Sequence, residues 1–169
     1  MCNKLMMVLL AFMCSFGNLA YSGQSSVDIE LRLLKLAFEV INESGDPKTE
    51  VANALLKMRL SHLETKITNK LNSVVEDIEY FSFWLERWKS GQMTFNPYSQ
   101  SYGFVDSNGE TLACCYSDEA QAMDHCESSK DWLHNKLEAL AAKQAELEQI
   151  NLQLVEMKDL LRAAILSAV

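Results

Sequence analysis

Glycine and proline are scarce in this chain of 169 residues, with 6 Gly and 2 Pro. This excludes a collagen-like repeat and a Pro/Gly low-complexity tract. The 49% apolar content likewise excludes a chain too polar to offset its ordering entropy. Cations are few as well. With 15 Lys and Arg against 23 Asp and Glu the formal charge is −8, so the clustered basic side chains that a phosphate backbone requires are missing. Nucleic acid is not an expected partner. No G-x-S-x-G, H-E-x-x-H, P-loop or Rossmann glycine pattern occurs, and 3 His with so few glycines leave little of the turn framework on which active sites are built. The expectation is a protein without a catalytic or cofactor site, and one domain by length.

The only long apolar run opens the chain. Lys4 precedes Leu5 to Phe16, a stretch shorter than the about 20 residues that cross a bilayer, and Ala20 and Ser22 form a small-residue cleavage pattern. Residues 1–22 read as a secretory signal peptide and 23–169 as a single helical domain, secreted to the cell exterior or a periplasm. Phe12 and Met13 before Cys14 are too large for a lipidation site. Loss of Lys4 with no acid takes the charge to −9. No integral membrane segment is expected in the mature chain.

Three helical patterns follow. Val27, Leu31, Leu34, Phe38 and Ile41 repeat in steps of three and four, predicting a helix over about 26–44. Ser44-Gly45-Asp46-Pro47 supplies a left-handed C′ glycine, a cap and a first-turn proline, hence a short turn. A second helix over about 47–90 carries Leu56, Leu60, Leu63, Ile67, Leu71, Val74, Ile78, Phe81, Leu85 and Trp88 on one stripe. At 1.5 Å per residue it would be roughly 65 Å long, which points to an extended hairpin or coiled coil. Residues 91–116 break the pattern and read as a small β-hairpin head, with Asn108-Gly109 as its turn signal.

The third helix, over about 118–168, holds Leu133, Leu140, Leu147, Leu154 and Leu161 at intervals of seven. Lys136 and Lys143 occupy the companion positions upstream, so the seam is strict only from Leu147 onward and broadens toward Leu137 and Ala141, as in a bundle. The fold class expected is all-α: an elongated antiparallel helical hairpin or three-helix bundle, coiled-coil-like, with a disulfide-containing β-hairpin head. The five leucines are assigned to a self-association seam, because two helices near the head leave apolar flanks to cover.

Cys114, Cys115 and Cys126 are three cysteines in an exported chain, so a disulfide is expected and one thiol is left over. An unbroken helix places Cys126 more than about 13 Å along the axis from Cys115, beyond disulfide reach. Either the chain breaks near 127–129, where Ser128-Ser129 before Asp131 resembles a fresh helix start, or Cys126 does not pair within its own chain. The first is favoured; under the second, a parallel dimer would set two Cys126 side by side. Cys114, Cys115, His125, Cys126 and His134 match no zinc-ligand spacing, so no metal is expected. His62 reads as a flank residue.

Tyr80, Phe81, Phe83, Trp84, Trp88, Tyr98, Tyr102, Phe104 and Trp132 crowd the region of the head. Most of them are expected to seal it as a satellite core. Trp84, Trp88, Tyr102 and Phe104 are assigned to partner recognition, since amphipathic aromatics anchor interfaces. Asn42-Glu43-Ser44 is a glycosylation sequon of use only on a eukaryotic route. The function expected is an exported, non-enzymatic structural or adaptor protein working by self-association and protein contact. A periplasmic holdase chaperone with helical arms and a secreted cytokine-like ligand are the rivals.

Overall fold

The apolar periodicities build helices, and the alternation between Gln92 and Tyr116 builds strands. The computed structural model describes the backbone over 26–44 and 49–167 and the side chains over 27–40 and 52–166. Among these residues the chain is mostly helical, with three helices and one three-stranded antiparallel sheet. The order is α1 (Ser26–Ser44), α2 (Thr49–Lys89), β1 (Gln92–Asn96), β2 (Ser101–Val105), β3 (Thr111–Tyr116) and α3 (Glu119–Ser167). The signal peptide expected at 1–22 and the turn expected at Gly45-Asp46-Pro47 lie outside the described residues. So does the side chain of Asn42, whose backbone belongs to α1.

Among the described residues the contacts divide into two units, one of 26–44 and 49–71 with 146–167 and one of 72–145. In the first, α1 buries Val27, Leu31 and Leu34. Against them, α2 sets Ala52, Leu56, Leu60, Leu63 and Ile67, and α3 sets Ile150, Leu154, Met157 and Leu161. All twelve come from the three- and four-residue steps that set one face of each helix. Polar contacts join each pair of helices, among them Lys66 Nζ to Glu30 Oε2 at 3.0 Å, Lys158 Nζ to Glu64 Oε2 at 2.8 Å, and Lys35 Nζ donating to Gln153 Oε1 at 3.2 Å.

In the second unit, parts of α2 and α3 enclose one face of the sheet. Leu85, Trp88, Phe104, Ala122, Cys126 and Leu133 form its buried core, and Phe81, Trp84, Met93, Tyr102, Leu112, Ala113, Tyr116 and Leu137 pack around it. The expected two-stranded hairpin is a three-stranded meander in the order β1-β2-β3, with Phe95 opposite Tyr102 and Met93 opposite Phe104. Asn96 turns the first connection by accepting from the Tyr98 and Ser99 N–H groups, and Gln100 takes a left-handed φ of 50°. Asn108-Gly109 lies in the second connection, with Gly109 at φ 81°.

The break expected in α3 near 127–129 does not occur. The helix passes without interruption through Glu127-Ser128-Ser129. Its start is fixed instead by Asp118, whose Oδ1 accepts from the Gln121 N–H at 2.8 Å. Ala122, Cys126 and Leu133 are all buried on one face of it, and that burial outweighs the weak capping preference of two serines. No disulfide is present among the described residues: Cys114, Cys115 and Cys126 are free thiols, Cys126 buried and the other two exposed. Among the described residues no helix is long and apolar enough to cross a membrane.

Candidate functional site

The expected seam residues Leu133, Leu140, Leu147, Leu154 and Leu161 are all buried within the single chain, Leu154 completely. Leu154 and Leu161 belong to the core of the first unit and Leu133 to that of the second. The five leucines of the heptad register are thus covered within the single chain.

The four aromatics assigned to recognition also turn inward. Trp88 and Phe104 are buried with ring centroids 6.1 Å apart, and Trp84 and Tyr102 are half-buried against the same core. Among the described residues the exposed aromatics are Tyr80, Phe83 and Trp132, together with Phe95 and Tyr98 of the β1–β2 hairpin. Tyr80 is 58% exposed, Phe83 57% and Trp132 57%. Periodicity contains the signal for this: Phe81, Leu85 and Trp88 define the buried stripe of α2, which leaves Tyr80 and Phe83 off it.

These rings form a connected surface. Tyr80 meets Phe81 edge-on at 5.2 Å, Phe81 meets Trp132 at 5.7 Å, Tyr80 meets Trp84 at 6.3 Å and Phe83 meets Trp84 at 5.8 Å. Edge-to-face geometry at these separations satisfies the ring quadrupoles and fixes the rings relative to one another. Two cations frame the surface. The Arg87 guanidinium lies 4.9 Å from the Trp84 ring centroid and 5.6 Å from that of Phe83, and Lys136 Nζ lies 5.7 Å from that of Phe81.

Arg87 is itself held by the second sheet connection. Its Nε donates to Asp106 Oδ2 at 2.7 Å and its Nη2 reaches Asp106 Oδ2 at 2.7 Å and Glu110 Oε2 at 2.6 Å. Asp106 Oδ1 accepts from the Asn108 and Glu110 N–H groups, both at 2.9 Å. Burial pushes the Asp106 carboxyl upward. The two backbone donors and the Arg87 guanidinium outweigh that and hold it below the usual carboxylate range. One carboxylate thus closes the loop and fixes the arginine beneath the aromatic face.

Of the remaining sequence candidates, Cys114 and Cys115 lie on β3 and His125, Cys126 and His134 on α3. The two cysteines of β3 touch, with Cys115 Sγ–H donating to Cys114 Sγ at 3.0 Å. Its hydrogen bond with Cys115, then the charge of that thiol, then burial, push the Cys114 thiol above its ordinary value. Burial also pushes the Tyr116 phenol up, and Cys114, Cys115 and Cys126 add in the same direction. His125 lies tilted against Tyr116 at 5.3 Å and meets Trp88 edge-on at 5.8 Å. His134 is drawn to Glu138, 3.4 Å away on the same helix.

In the first unit, α2 and α3 flank a groove of about 480 Å³ whose lining includes Lys57, Glu64, Val155, Lys158, Arg162 and Leu166. No protein-family model matches the chain, and neither a curated protein nor a solved structure is detectably similar to it.

Proposed function

We propose that the chain is an exported, non-enzymatic adaptor or structural protein that acts by contact with other proteins, copies of itself included. In this reading the three helices form a bundle with a coiled-coil-like internal seam, and the sheet-bearing unit carries the contact surface. The observation that carries it is the connected aromatic face of Tyr80, Phe83 and Trp132, more than half exposed and framed by Arg87 and Lys136. Rigid aromatics contribute large contact area at low entropy cost, and arginine is favoured beside them at interfaces. The buried leucines act as the scaffold, and self-association runs through this outer face.

The test is the solution mass of the purified protein by light scattering, with and without reductant. A dimer or larger species that persists in reductant supports contact through this face. A species that dissociates in reductant assigns the link to a cysteine between chains, and a monomer under both conditions removes self-association from the reading.

A holdase function is the second reading. Leu36, Leu55, Met58, Leu152, Leu160 and Leu166 are exposed on the helices of the first unit, and exposed apolar side chains are what an unfolded client would meet. Suppression of the aggregation of a denatured model protein at equimolar ratio separates this reading from an adaptor, which leaves aggregation unchanged.

A further inference from the structure

In a regular strand neighbouring side chains point to opposite faces, so adjacent cysteines cannot bring their sulfurs together. β3 is not regular at this point. Tyr102 pairs with Tyr116 while Phe104 pairs with Ala113, so Gly103 alone on β2 faces both Cys114 and Cys115. The extra residue is a β-bulge, and Cys115 supplies the left-handed backbone it needs, at φ 73°. Gly103 makes the bulge possible, because a Cβ there would stand 2.7 Å from the Ala113 carbonyl oxygen and 3.2 Å from Cys114 Cα. The bulge brings the two sulfurs within 3.0 Å of each other, and both residues are exposed.

We propose that Cys114 and Cys115 form a vicinal dithiol that closes to an intramolecular disulfide by exchange with a low-molecular-weight disulfide. One thiolate attacks a sulfur of the small disulfide, breaking its S–S bond, forming a mixed disulfide and releasing one thiol. The neighbouring sulfur then attacks the protein sulfur of that mixed disulfide, breaking the new bond and releasing the second thiol. Two protein thiols are oxidised by two electrons, the small disulfide is reduced to two thiols, and the two protons leave with them.

Proximity decides the outcome in favour of the ring. The second sulfur is already in contact, so the mixed disulfide has a resolving thiol at high effective concentration. Cys126 does not compete, since it is buried among Leu85, Trp88 and Leu133.

The experiment uses the full protein, reduced, freed of reductant, exposed to oxidised glutathione, acid-quenched and cut with a Glu-specific protease. Residues 111–119 then hold Cys114 and Cys115, and residues 120–127 hold Cys126. The expected result is a 111–119 peptide lighter by two hydrogens and free of glutathione, both in the wild type and in Cys126→Ser. Cys114→Ser is expected to carry one glutathione on Cys115 instead. A 111–119 peptide bearing two glutathiones, one joined to 120–127, or one left fully reduced would overturn the proposal.

Discussion

Arg87 places two nitrogens 2.7 Å from a single oxygen of Asp106, nineteen residues further along the chain. The same guanidinium lies against Trp84 and Phe83, so the pair links the loop between β2 and β3 to the exposed aromatic face. The Asp106 side chain is almost wholly buried and its other oxygen is taken by two backbone donors. Removing the arginine leaves a carboxylate in place without its cation. Arg87→Ala is therefore expected to lower the thermal midpoint well beyond Lys89→Ala, whose partner Glu86 is exposed. Equal shifts in a melting comparison would show that the pair contributes no more than a surface contact.

The depressed Asp106 carboxyl has a sign in pH. In the unfolded chain it titrates at the ordinary carboxylate value of about 3.9, and in the folded chain lower. Its contribution is complete above the unfolded value and is lost as pH falls through the folded one. Asp106→Asn is expected to lower the midpoint at neutral pH and to show a shallower fall in acid than the wild type. Parallel midpoint curves from neutral pH to about pH 2 would contradict this assignment.

Gly103 has no room for a methyl group. Gly103→Ala is expected to cost about 1–3 kcal/mol, since its Cβ meets backbone on β3 that cannot rotate away. Denaturant melts measure this directly, and Gly109→Ala serves as the contrast. Gly109 has open space but a φ of 81°, so its cost is one of conformation, about 1 kcal/mol.

The inward leucine register separates two neighbours on α3. Leu154 is fully buried and Leu152 is 66% exposed. Leu154→Ala is expected to cost about 2–5 kcal/mol and Leu152→Ala under about 0.5 kcal/mol. If both were small in urea melts, the seven-residue repeat would not be an internal core.

The buried positions of all three helices were legible because a helix stripe is a local property. Val27, Leu31 and Leu34, the α2 set from Leu56 to Ile67, and the five leucines of α3 all follow from spacing. What the leucines face was not legible, since a heptad repeat fits an intrachain and an interchain partner equally well. Strand β1 went unread although Met93 and Phe95 alternate ahead of Asn96-Pro97, because a five-residue edge strand carries little signal. The bulge at Cys114 and Cys115 has no local signature. It depends on Gly103, which lies eleven residues before Cys114 and gives no sign in the sequence of what it faces. The aromatic face was half legible: the cluster is visible in the sequence, but choosing its exposed members needs the stripe of α2 and the position of the sheet.

The proposed contact between proteins runs through the face of Tyr80, Phe83 and Trp132. The most direct measurement is light-scattering mass against concentration, in reductant, for the wild type and for Phe83→Ser/Trp132→Ser. Self-association through this face predicts a wild type heavier than one chain and a double variant at the mass of one chain with its helical circular dichroism retained. Equal masses for the two proteins would contradict it.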